Sequence, residues 1–144
     1  MYEPIRTKSV HTMAGTSSDF PHRSREEELD IQLAGHLAAL LAVTDELRGL
    51  DPSAELDAAT ERLVEQVTRL REGRPPVRSS VRSSVAVADR QSQLAALHQR
   101  AHALAGRALV VAASRADTAA AILAAERMDA HAAATPDPRE LATH

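Results

Sequence analysis

Residues 104–128 read LAGRALVVAASRADTAAAILAAERM, and how this stretch is broken or left whole decides the fold. It holds no proline and one glycine, Gly106, and is dominated by alanine, the residue with the highest intrinsic helix propensity. Extended back to about residue 85 and forward to about residue 133, it reads as a single helix. At 1.5 Å per residue that helix would span roughly 70 Å, whereas the first helix of the chain spans about 40 Å. Its seam, Leu94, Leu97, Ala101, Leu104, Ala108 and Val111 followed by Arg115, Thr118, Ile122 and Ala125, stays apolar beyond the length that the upstream helices can cover. Either the helix runs through and its second half packs on another copy of the chain, or it breaks near Gly106 to Ser114 and folds back as a fourth helix, with Ser114-x-x-Asp117 capping the restart. The absence of proline or a polar turn cluster favours the continuous helix.

Upstream, Ser24 followed by Glu27 forms a capping box, and Glu26, Glu27, Glu28 and Asp30 suit the positive end of a helix dipole. Leu29, Leu33, His36, Leu40, Val43, Leu47 and Leu50 then recur at alternating steps of four and three, the seam of a helix lying nearly parallel or antiparallel to others. Leu37 and Leu41 widen that seam enough for more than one neighbour. Gly49 and Asp51-Pro52 end the first helix (24–49) and start a second (52–72), whose Leu56, Thr60, Leu63, Val67 and Leu70 repeat the spacing. So short a junction predicts an antiparallel hairpin. Gly73 with Pro75-Pro76 ends the second helix, and the duplicated VRSSVRSS of residues 77–84 predicts a flexible basic linker over 73–84. Residues 1–23 and 135–144 lack periodicity and read as disordered arms flanking one helical domain, 24–134.

Composition narrows the function. Tyr2 and Phe20 are the only aromatic residues among the 144, and both precede the first helix, so the core must be built from Leu, Val, Ile and Ala. Such a core buries modest area per residue and gains from long contacts or a second chain. Lys8 is the single lysine among many arginines, which reads as the coding bias of a GC-rich genome. A net charge of -3 and the lack of aromatic platforms argue against nucleic-acid binding. No cysteine is present, which removes disulfides, thiolate metal sites and thiol nucleophiles. No run of about 18 apolar residues predicts a membrane span, and the N-terminus lacks the pattern of a secretory signal, so a cytoplasmic setting is expected.

Few residues are suited to chemistry. His98 and His102 stand four apart on the third helix, a spacing that can present two imidazoles to a metal, with His36 of the first helix as a conceivable third ligand. No carboxylate lies near the pair in sequence, and partly exposed histidines on a helix are the plainer reading. His36 in a leucine seam reads as a polar residue that fixes helix register, because Ala34, Gly35, Leu37 and Ala38 do not provide the charged surroundings of a phosphoacceptor. Arg74, Arg78 and Arg82, near Arg69 and Arg71, form the one concentrated basic stretch and could meet an acidic partner or an anionic surface. Phosphate loops, nucleophile elbows, HExxH and the paired Glu-x-x-His of di-iron proteins are all absent.

The expectation is therefore all-α: a hairpin plus a long Ala-rich third helix, making a three-helix bundle, or a four-helix one if that helix breaks. It is non-enzymatic, needs no cofactor, and acts through homodimerisation or a protein partner at Leu104, Ala108, Val111, Ile122 and Met128. The alternatives are an adaptor docking through its arginine linker and, less favoured, a histidine-based metal binder.

Overall fold

The computed structural model describes residues 24–78 and 87–135, and within them the chain forms four α-helices and no strand. These are α1 (Arg25–Leu50), α2 (Ala54–Leu70), α3 (Val87–Arg115) and α4 (Thr118–Ala134). The expected arm 1–23, the expected tail beyond Thr135, Arg82 and the start of the third helix at residue 85 lie outside the described residues.

The long third helix is two helices. α3 runs through Gly106 without interruption and ends at Arg115; Ala116 then turns into the left-handed region, at φ 59°. The backbone N–H of Asp117 reaches back to Ala112 O at 2.9 Å, and that of Ala116 to Ala113 O at 3.1 Å, closing the last turn of α3. The Asp117 side chain at once opens α4, because its Oδ1 accepts the Ala120 N–H at 3.1 Å. Arg69 of α2 donates to the other carboxylate oxygen of Asp117 at 2.8 Å. The break is two residues beyond the expected segment, and Asp117 serves as the cap itself.

The other ends follow their local chemistry. Ser24 and Glu27 exchange both bonds of the capping box, at 2.8 and 3.0 Å. Ser53, and not Asp51, caps α2 by accepting the Leu56 N–H at 3.1 Å, so Pro52 precedes the cap. α2 ends through Glu72 (φ 55°) and Gly73 (φ 92°), whose N–H bonds to Thr68 O at 2.8 Å.

α1 packs on both α2 and α3, α3 packs extensively on α4, and α2 touches α4 through a thin seam. Residue pairings fix the directions. Arg48 meets Asp57 across the α1–α2 turn. Arg115 at the end of α3 meets Asp30 near the start of α1, and Arg90 near the start of α3 donates to Leu50 O at the end of α1. Each helix therefore lies antiparallel to the neighbours it touches. After α2 the described chain, up to residue 78, runs beside α1: Pro76 is buried, and Arg78 forks onto Asp45 at 2.9 and 2.7 Å.

The two sides of the core are built differently. α1 supplies Leu33, Leu37, Leu40, Leu41 and Leu47, each at most 2 % exposed, consistent with its double stripe and two neighbours. α3 and α4 supply mainly alanines, including Ala101, Ala105, Ala108, Ala112, Ala120 and Ala124. Alanine faces let these two helices close on each other where leucine on both sides would hold them apart. The buried hydroxyls of Thr44 and Thr60 donate to Leu40 O and Leu56 O one turn back, so neither is left without a partner.

Candidate functional site

Two features stand out on α3 and α4: a buried chain of polar groups on their inner side, and an apolar face on their outer side. The chain begins on α4, where Arg127 and His131, one turn apart, point inward at 3 % and 1 % exposure. Glu55 in the first turn of α2 pairs with Arg127 Nη1. Arg127 Nη2 lies 3.1 Å from His131 Nε2, and His131 Nδ1 lies 2.9 Å from His98 Nδ1 of α3. The two imidazoles are tilted at 44° with centroids 5.2 Å apart.

Proton positions along this chain follow from its cationic member. A guanidinium only donates, so His131 Nε2 must accept and its proton resides on Nδ1. His98 Nδ1 then accepts from His131, which leaves the His98 proton on Nε2. Both rings are held neutral. Burial is the main reason that His131 is pushed down to about 3, followed by the charge of Arg127 and then by His98 and His102. His98 is lowered chiefly by burial and also by Arg127, while Asp51 and Glu55 oppose the shift. Arg127 Nε has no hydrogen-bond partner among the described residues.

This arrangement separates the expected histidine pair. His98 turns to His131, whereas His102 Nδ1 donates to the Met128 carbonyl at 3.0 Å, so the two rings serve different bonds. His36 sits partly buried on α1. Among the described residues no group of three or more His, Cys, Asp or Glu could hold a metal ion.

On the outer side, the five expected interface residues divide. Leu104 (8 % exposed) and Ala108 (0 %) are buried within their own chain, because the fold-back of α4 gives them a partner that a continuous helix would lack. Val111 and Met128 are partly buried against the same core. Ile122 remains 51 % exposed, and Val110 on α3 is 66 % exposed. Beside Ile122 a shallow groove of about 290 Å³ runs between the helix ends, lined by alanines 112, 113, 116, 121 and 125 with Asp117 and Thr118. A second depression of about 250 Å³ lies at the other end of the hairpin, between Gln99, His102, Ala132 and Thr135.

Two members of the arginine stretch, Arg69 and Arg78, are tied into the fold by ion pairs. Arg78 is tied to Asp45, and that hydrogen bond is the main reason its pKa is raised. Arg74 borders a cleft of about 570 Å³ in which Arg69 and Arg71 face Glu27, Asp30 and Glu72, so the charge there is mixed. No helix among the described residues is long and apolar enough to cross a membrane. The sequence reading missed Glu55, Arg127 and His131. Arg127 and His131 share the inward face of α4 at a spacing of four, but that face exists only once the helix is broken. No protein-family model, curated protein or solved structure matches the chain.

Proposed function

We propose that this chain is a non-enzymatic helical interaction protein, a four-helix bundle that presents the outer face of its α3–α4 hairpin to a second copy of itself. The observation that carries this reading is the exposure of two branched apolar side chains on one hairpin: Ile122, which lines the alanine groove at the hairpin's turn, and Val110 on α3. Exposed apolar side chains scattered singly need no explanation, but two on one hairpin, one of them lining an apolar groove, mark a surface suited to burial. A second copy is the simplest occupant, because the same patch offers both ridge and groove and a two-fold interface requires self-complementarity.

The buried chain from Glu55 to His98 supports a structural role. It joins α2, α3 and α4 with directional bonds at a place where alanine packing alone would tolerate sliding, and so it fixes their register. The arginine-linker reading has less support, because Arg78 is engaged with Asp45 and the cleft at Arg74 is of mixed sign. Metal binding has less still, since His98 and His102 bond to different partners.

Sedimentation equilibrium of the full chain tests the reading. A dimer at tens of micromolar is expected, and Val110→Asp and Ile122→Asp are each expected to give monomers with unchanged helix content by circular dichroism. A monomeric wild-type chain at that concentration would overturn it.

A further inference from the structure

We infer that the polar chain from Glu55 to His98 is a proton-sensitive latch. It holds two imidazole protons and has no place for a third, so acidification frees the C-terminal end of α4 from α3 while α1 and α2 stay folded. The count follows from the direction of each bond. Arg127 Nη2 donates across 3.1 Å to His131 Nε2, and His131 Nδ1 donates across 2.9 Å to His98 Nδ1. A proton added to His98 Nδ1 would set two N–H groups face to face. One added to His131 Nε2 would set an N–H against the guanidinium. Exchanging the His131 tautomer gives no relief, because Nε2 must accept for as long as Arg127 lies beside it. A third proton therefore breaks the bond that ties His131 to α3.

The surroundings decide where that proton enters. His98 is partly exposed, and Asp51 at the α1–α2 turn and Glu55 of α2 both draw a proton to it, against burial and the charge of Arg127. Arg90 of α3, 3.7 Å from Asp51, tempers that pull. His131 is 1 % exposed and lies against Arg127, so it is the poorer entry point. His102 takes no part in the switch, because its Nδ1 donates to the Met128 carbonyl whether the ring is neutral or charged. What gives way follows from burial along α4. Its buried residues are Ala120, Leu123, Ala124, Arg127 and His131, so beyond Ala124 both fully inward side chains belong to the polar chain. Met128 adds only partial cover there. The first half of α4 keeps Leu123 and the pairs of Asp117 with Arg69 and of Glu126 with Arg62.

Two NMR measurements on the full chain test the latch. Proton–nitrogen correlation of the imidazoles at about pH 7 should show the His131 proton on Nδ1 and the His98 proton on Nε2. A His131 proton on Nε2 would overturn the count. Once released, the rings regain the ordinary imidazole pKa, so the open form binds more protons and gains as pH falls below it. Amide protection in residues 127–134 should accordingly drop by roughly tenfold per pH unit for each ring that takes up a proton, with Leu37 to Leu47 unchanged. Equal losses in α1 and α4 would mean that acid opens the whole molecule and would overturn a local latch. His98→Asn sets a carbonyl oxygen where Nδ1 accepts and takes up no proton. Its loss of α4 protection should be shallower than that of the wild type by about tenfold per pH unit, and an unchanged slope would overturn the entry of the proton at His98 and the latch with it.

Discussion

Arg127 carries a permanent charge at 3 % exposure, and its carboxylate partner Glu55 is 59 % exposed. That asymmetry makes the two ends of the pair unequal under mutation. Glu55→Ala leaves a buried guanidinium facing a neutral imidazole, and a loss of about 1–2 kcal/mol is expected after allowing for solvent screening on the glutamate side. Arg127→Met removes the buried charge together with the unpartnered Nε and leaves Glu55 to water, so stability should change by less than about 1 kcal/mol in either direction. Urea unfolding at neutral pH measures both, and an Arg127→Met loss exceeding that of Glu55→Ala would refute the assignment of the buried partner. His131 makes a second residue-level prediction. Its folded pKa lies below the unfolded value of 6.5, at about 3, so the folded state favours the neutral ring. Its contribution is fully present above pH 6.5 and is lost as pH falls from there toward 3, by up to about 1.4 kcal/mol for each pH unit. His131→Gln should cost stability at pH 7, and its deficit relative to wild type should shrink steadily down to pH 4.5. A deficit constant over that range would show that the wild-type ring takes up its proton while folded. Of this chain only His98 was singled out in the sequence, and for a different partner, because a histidine–arginine pair in an alanine-rich helix has no partner in sequence; Glu55 and His98 become neighbours of that pair only through tertiary packing.

At the scale of elements, two ends were legible where side-chain chemistry marks them, Ser24 with Glu27 at the start of α1 and Gly73 with the prolines after α2, whereas Asp51-Pro52 was read as the cap that Ser53 provides. The α3–α4 break was not, for a specific reason. A left-handed residue at a helix end is usually glycine, whereas here Ala116 occupies that conformation at φ 59°, and the only sequence signal is the cap residue Asp117 in a run that otherwise reads as helix. Gly106, the residue that invited a kink, lies inside α3, where a Cβ would sit 3.7 Å from Met128 Cε in ordinary contact. Two substitutions follow from the turn. Ala116→Gly relieves the left-handed strain and should stabilise the fold by about 0.5–1 kcal/mol. Asp117→Ala removes both the cap of α4 and the partner of Arg69, and should destabilise by about 1–2 kcal/mol. Thermal melts of the two variants should shift in opposite directions. A loss of stability from Ala116→Gly would argue for a continuous helix through residues 115–118.

Across the whole molecule, cohesion is distributed unevenly, and the sequence held half of that pattern. The widened leucine stripe of α1 announced a helix with more than one neighbour, and α1 is the element that α2 and α3 share. The fourth side of the assembly was hidden, because the α2–α4 seam is closed by charges: Arg62 with Glu126 at 2.5 Å, Arg69 with Asp117 at 2.8 Å, and Arg127 with Glu55. Charged residues on one helix do not reveal in sequence which helix they will face. Leucine burial in α1 is insensitive to ionic strength, whereas the Arg62 and Arg69 pairs, with side chains 47 % exposed, are screened by salt. Opening of the molecule should therefore begin at the α2–α4 seam, with α4 lifting from a face that is mostly alanine and α1 opening last. Amide hydrogen exchange followed residue by residue should find the slowest amides around Leu37 to Leu47 and faster exchange throughout α4. Raising NaCl to about 1 M should accelerate α4 severalfold while leaving the centre of α1 unchanged. Uniform acceleration of all four helices would mean that they open as one unit and that the charged seam is not where opening starts.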